Sequence, residues 1–268
     1  MKGSVLAMKD LREEWFDSEK RVSVTVVDVT TAAAQLSSGH LSGPTAARFL
    51  AEHLAAVALL GVEFSHEDEV ISLQMKCEGP LAGINVECTA AGLLRGYTEK
   101  KVLDDFDGMG RKDLSKALGR ARYQITRSVP GKILSQGVSS SLDGYLAGSL
   151  QRRATMRLYS EVEDDGKVVL ARGVMVEDMP DAEGELVSTH LQDIKSIAIS
   201  SRHILDALGL KGAEKKKATA LSFGCRCSLE RIKEVLAAMP PEELSALEED
   251  TTVVCHMCGK TFSVPRPL

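Results

Sequence analysis

The sequence predicts an α+β protein: a mixed sheet-and-helix core over residues 1–181, a helical linker over 182–222 and a small helical C-terminal domain over 223–268. Three observations carry this expectation. Short β-branched runs alternate with helical stretches but without the regular strand–helix–strand repeat of a parallel α/β fold. The texture of the chain changes after Met179-Pro180-Asp181. And four of the six cysteines, Cys225, Cys227, Cys255 and Cys258, fall within the last 44 residues, with Cys77 and Cys88 standing apart.

In chain order, residues 22–31 are β-branched and roughly alternating, as a half-buried strand should be. Ser42-Gly43-Pro44 then opens a helix to about Leu60, with Ala47, Leu50, Leu54, Val57 and Ala58 on the 3.6-residue period. Strands are expected over 70–76 and 82–88 around the turn Glu78-Gly79-Pro80, near 93–98, and over 123–128, 154–162 and 167–176. A helix over 141–151 separates two of them. Residues 185–210 carry Leu186, Leu191, Ile194, Ile197, Ile204, Leu205 and Leu208 at helix-like spacing, running into Lys215-Lys216-Lys217. On the residues alone, this reads first as a surface-packed helix and a solvated linker, and second as a connector whose docking can be released.

Composition excludes several functions. With 26% charged and 44% hydrophobic residues the chain has ample means to bury a core. Its longest apolar run, Leu54 to Val62, is nine residues, well short of the roughly twenty a bilayer span needs. Residues 1–20 are rich in acids and lack a basic segment leading into an apolar one, so no targeting peptide and a cytoplasmic location are expected. A net charge of −5 with 4% aromatics disfavours nucleic-acid binding. The chain has no GxxxxGK[ST] loop, no GxSxG and no coherent Ser/His/Asp set, which points away from an enzyme.

The tail reads Phe223-Gly-Cys225-Arg-Cys227-Ser228, then Cys255-His-Met-Cys258-Gly259-Lys260. Two close pairs of thiols are the donor set of a tetrahedral Zn²⁺ site, each pair acting as a two-toothed clamp. The pattern departs from an ordinary zinc ribbon, because the first pair is Cys-x-Cys and the 27-residue spacer is long. The spacer begins as a helix with Leu229, Ile232, Val235 and Leu236 on one face. Four thiolates complete the shell without His256, and Gly259 permits a tight turn with backbone amides aimed at sulfur. The tail has only 46 residues, a length at which a domain needs a metal or disulfides to fold. A structural zinc contributes on the order of 10–16 kcal/mol, as much as the whole stability of a typical domain, about 5–15 kcal/mol. Oxidation of the thiolates would remove that support. The rival is a structural zinc module binding nucleic acid or a folded partner; five Lys/Arg against seven Asp/Glu in residues 223–268 oppose phosphate binding. Cys77 and Cys88 read as small hydrophobes that could meet across their hairpin, with no redox role.

These residues resemble the redox-regulated heat-shock holdase family, the thirty-three-kilodalton bacterial-type chaperone. Phe223 to Arg231, Glu242-Glu243-Leu244 and the terminal Cys-x-x-Cys-Gly-Lys are similar to its signature. Upstream, so are Val29-Thr30-Thr31, Gly79-Pro80-Leu81-Ala82-Gly83, Gly92 to Tyr97, Gln136-Gly137-Val138 and Asp143 to Gln151. The chain departs from the family at Leu150 of Ser149-Leu150-Gln151 and over 176–181. The resemblance implies an ATP-independent chaperone, not an enzyme, that holds one Zn²⁺ on Cys225, Cys227, Cys255 and Cys258 when reduced and inactive. It implies that oxidation forms Cys225–Cys227 and Cys255–Cys258 disulfides, releases zinc and unfolds the tail with its linker. The active form would bind unfolded or aggregation-prone client proteins and form a homodimer. On this reading the releasable connector moves ahead of the solvated linker.

Overall fold

The computed structural model describes residues 10–108, 114–245 and 250–265. Two mainly antiparallel sheets sandwich a central helix. The first sheet has five strands in the order β10-β1-β2-β9-β8: β1 (Leu11–Asp17), β2 (Val22–Asp28), β8 (Arg153–Val162), β9 (Val168–Asp178) and β10 (Glu214–Ala220). The second runs β11-β5-β4-β3-β6-β7: β3 (Val70–Cys77), β4 (Gly83–Thr89), β5 (Leu93–Thr98), β6 (Ala121–Val129), β7 (Lys132–Ser139) and β11 (Ser222–Phe223), which joins β5 in parallel.

Between them lies α2 (Pro44–Leu60), with proline at its start and side chains buried on almost every face. Its alanines, Ala46, Ala47, Ala51, Ala55, Ala56 and Ala58, let both sheets approach closely. Gly173 of β9 has no room for a side chain beside Leu59. By length and composition the helix could cross a membrane, but it is the buried core helix of this fold.

The expected strands and the helices at 44–60 and 141–151 are present, the latter as α4 (Leu142–Gly148), capped by the Ser141 hydroxyl accepting from Gly144 N–H at 3.0 Å. Residues 30–31, expected in the first strand, instead open α1 (Thr30–His40). The reason lies far away: the buried Asp10 carboxylate accepts the Thr31 and Ala32 amides at 2.8 and 2.6 Å, capping a helix twenty-odd residues downstream. β1 and β7 also went unforeseen, because both are polar and lack a clean alternation.

The linker is not the single helix expected. A 3-10 turn (Val187–Asp193) is followed by irregular chain and α5 (Ser201–Ala207). Serines and threonines interrupt it by bonding to nearby backbone: Thr189 Oγ1 to Leu186 O at 2.6 Å, and Ser196 Oγ from Ala198 N at 3.1 Å. The apolar spacing still serves burial. Val187, Leu191, Ile197, Ile204, Leu205 and Leu208 pack on Val22, Val24, Val26, Val174 and Val176, the outward face of the first sheet. Lys215 to Lys217, expected in a solvated linker, lie in β10 along the edge of that sheet.

The C-terminal region is helical only at its start. α6 (Leu229–Ala237) and the short α7 (Pro241–Ser245) precede a hairpin, β12 (Asp250–Val254) and β13 (Thr261–Pro265). The β-branched Thr251, Thr252, Val253 and Val254 favour that strand. The small core here comprises Leu236, Phe262 and Val264, with Leu229 and Ile232 packed against it. Val235, expected on the same face, points to solvent at 63% exposure.

Candidate metal centre

The first cysteine pair leaves the core on a short tether. Gly224 N–H donates to Leu94 O at 3.0 Å, continuing the β11–β5 ladder up to Cys225. Ser228 then caps α6, its hydroxyl accepting the Arg231 amide at 3.1 Å. The second pair occupies the turn between β12 and β13. Cys255 accepts from Gly259 N–H at 2.8 Å and donates to Lys260 O at 2.8 Å. Gly259 has φ +73°, the left-handed conformation this turn requires. The amides of Cys227 and Lys260 point at the sulfurs of Cys225 and Cys258, the arrangement expected of such turns.

The four sulfurs converge. Cys225 Sγ lies 3.8 Å from Cys255 Sγ, Cys227 Sγ lies 3.5 Å from Cys258 Sγ, and all four fall within 4.8 Å of one another. A regular tetrahedron with arms of 2.3 Å has edges of about 3.8 Å, so the spacing and the donor chemistry both fit a four-thiolate metal ion. The separations are far beyond the ~2.05 Å of a disulfide. His256 is elsewhere: its ring meets Tyr97 edge-on at 4.2 Å. Cys77 and Cys88 do not meet. Cys88 pairs with Ile71 at one end of the β3–β4 ladder, whereas Cys77 lies at the other, beside Ala82.

The electrostatics of the thiols are uneven. Burial by itself would raise Cys225, but hydrogen bonds from the Cys227 amide and thiol and from Arg95 outweigh it and bring the group down to about 7. Burial and the neighbouring sulfurs push Cys227 up, and Cys258 up to about 11. One thiolate is thus stabilised by its neighbours, and a cation would be needed to hold four. Arg95 reaches Cys225 Sγ at 3.9 Å while paired with Glu87 at 2.5 Å, and Arg226 lies 3.8 Å from the same carboxylate.

The cluster is seated on the core. Gly96 N–H donates to Met257 O at 3.1 Å, and His40 Nε2–H donates to Gly96 O at 2.9 Å. A side chain on Gly39 would meet Cys258 O at 2.9 Å. Residues from α1, β4 and β5 thus form a seat that the cysteine spacing did not reveal; Gly92 to Tyr97 was visible only as a motif.

A sequence model described as Hsp33 protein matches residues 14–265. The chain belongs to the Hsp33 family. Among Hsp33 relatives, the 33 kDa chaperonin of Symbiobacterium thermophilum is 28% identical over 260 residues, covering 87% of each chain. That of a Geobacillus species is 27% identical over 272 residues, covering 92% of this chain and 90% of the relative. The crystal structure of the Thermotoga maritima 33 kDa chaperonin superposes with a TM-score of 0.84 at 18% identity, covering 96% and 95% of the two chains. The α+β architecture is therefore that of Hsp33, a family of chaperones and not of enzymes.

Proposed function

We propose that this Hsp33-family chaperone is a redox-regulated, ATP-independent holdase, and the observation that carries the reading is the convergence of four thiols on the surface of the core. Cys225, Cys227, Cys255 and Cys258 hold one Zn²⁺ in the reduced protein. Bound there, zinc supplies the crosslink that a module whose described residues bury only a small apolar cluster lacks.

Activation is oxidation of the thiols. A thiolate attacks a peroxide oxygen, giving a sulfenic acid; its neighbour displaces the hydroxyl, giving a disulfide and water. Each disulfide supplies two electrons to the oxidant. The pairing proposed is Cys225–Cys227 and Cys255–Cys258, although contacts of 3.8 and 3.5 Å also run between the pairs. All four sulfurs lie close enough for either pairing, so peptide mapping of the oxidised protein decides it.

With its donors consumed, the metal leaves and residues 223–268 lose their support. The connector over 182–222 follows, because it runs directly through β11 into Cys225, and the β11–β5 pairing next to the cysteines is its last hold on the second sheet. The valine face of the first sheet then opens to unfolding clients, and two activated copies associate. The site of action is the cytoplasm.

The test is suppression of aggregation of a thermally unfolding client, reduced against oxidised, with zinc release followed in parallel. One zinc per chain, released as suppression appears without ATP, is the expected result. Equal suppression by the reduced form removes the switch. Salt-dependent retention on nucleic acid with no effect on clients favours the structural-module reading instead.

A further inference from the structure

β10 is an unusual edge strand. Its residues, Glu-Lys-Lys-Lys-Ala-Thr-Ala, are exposed except for the partly covered Thr219, so it contributes almost nothing to the core. Its flanks do the anchoring: Leu210 and Ala213 in the packing on the sheet's outer face, and Leu221 in the central core. Between those anchors it is held by the ladder to β1 and by side-chain contacts along its length. Lys215 pairs with Glu13 and places its ammonium 4.9 Å from the Trp15 ring, and Lys216 pairs with Glu214 at 2.6 Å. The ladder itself is faulted. Glu14 pairs with Lys217 and Trp15 with Lys215, so Lys216 is the extra residue of a bulge. A charged, bulged strand is how proteins blunt an edge against pairing with other chains.

We infer that β10 is a removable guard, and that β1, uncovered, receives an extended lysine-bearing segment of an unfolding client as a new edge strand. This rests on the proposed function, since the guard leaves with its linker. β1 supplies the recognition. Its seven residues span roughly 23 Å of unpaired amides and carbonyls once β10 has gone. Backbone pairing of this kind accepts many sequences, as a holdase requires, while side chains at alternate positions bias the choice. Glu13 and Trp15, two residues apart on one face, already cradle a lysine between them, whereas Glu14, on the other, is already paired with the buried Arg12 at 3.3 Å. Opposite charges facing across a ladder favour pairing, so an unbulged client segment with lysines at alternate positions fits the edge better than the crowded run of β10.

Hydrogen exchange of the β1 amides in the full-length protein tests this, with the aggregation assay run on the same samples. The probes are a reduced, permanently unfolded basic protein, a synthetic Glu-Lys-Lys-Lys-Ala-Thr-Ala peptide and the same peptide with glutamates for lysines. The β1 amides should exchange slowly in the reduced protein and quickly once oxidised. They should slow again with the unfolded protein or the lysine peptide, but not with the glutamate peptide. The Glu13→Gln variant should bind the lysine peptide about 2–10-fold more weakly, read from the fluorescence of Trp15, the only tryptophan. Three results overturn the inference: β1 still protected in oxidised protein that suppresses aggregation, β1 left fast-exchanging by every probe, or reprotection that needs only a higher concentration of the protein itself. Failure of the proposed function is separately visible, as no suppression after zinc release.

Discussion

Gly39 ends its side chain at hydrogen, and the carbonyl of Cys258 occupies the space a methyl group would take. Gly39→Ala should therefore lift the cysteine turn from its seat at a cost of about 1–2 kcal/mol. The expected outcome is faster zinc loss at a fixed peroxide concentration, with the far-UV spectrum of the reduced protein unchanged. A second residue makes the core sensitive to acid. His53 is buried in α2, its Nδ1–H donating to Phe49 O at 2.7 Å, and burial holds its pKa down at about 4. The unfolded imidazole titrates near 6.5, so between these values the unfolded chain binds the extra proton. Stability that is full above about pH 6.5 is thus lost as the pH falls towards 4, by about 3 kcal/mol. Urea midpoints measured at pH 7 and pH 4.5 should fall less in His53→Leu than in the parent; equal falls would show that other groups set the acid response.

Among the elements, the connector is held by polar latches as well as by its apolar side chains. The buried Asp178 carboxylate at the end of β9 accepts the amides of Val187 and Ser188 at 2.9 and 3.0 Å. Further along, Arg157 donates to Leu191 O at 3.3 Å and Arg172 to Ile199 O at 2.5 Å. Hydrogen bonds to a charged group contribute about 1.5–3 kcal/mol, so Asp178→Asn should raise amide exchange at 187 and 188 about tenfold or more. The central β2 amides should stay protected, as their ladders to β1 and β9 are untouched. Loss of protection throughout the first sheet would mean that this latch supports the whole fold.

Across the whole molecule, burial is unevenly distributed. The core carries its own apolar interior on α1, α2 and both sheets, whereas the described residues of the cysteine module gather one small apolar cluster around Leu236, Phe262 and Val264. Chelation of the reduced protein should therefore abolish protection in α6, β12 and β13 while leaving α2 protected, as read by exchange; simultaneous loss at α2 would join the two units into one cooperative fold. The same difference governed what could be read in advance. The valine strand at 22–28 and the helix at 44–60 declare themselves by local periodicity, and both were foreseen. β10 is an edge strand and β1 its inner neighbour, both full of charges, and their pairing spans some two hundred residues of chain. No local pattern predicts it.

The sequence by itself determined the four-thiol donor set and the α+β character, because the spacing of cysteines and the alternation of β-branched residues are short-range properties. Tertiary structure decided where the thiols meet: on a seat built from Gly39, His40, Gly96 and Tyr97. It also decided that the connector lies across a valine face and ends as an edge strand. Those outcomes depend on which surfaces remain unpaired once the sheets have formed, and that is settled only by residues distant in the chain coming together.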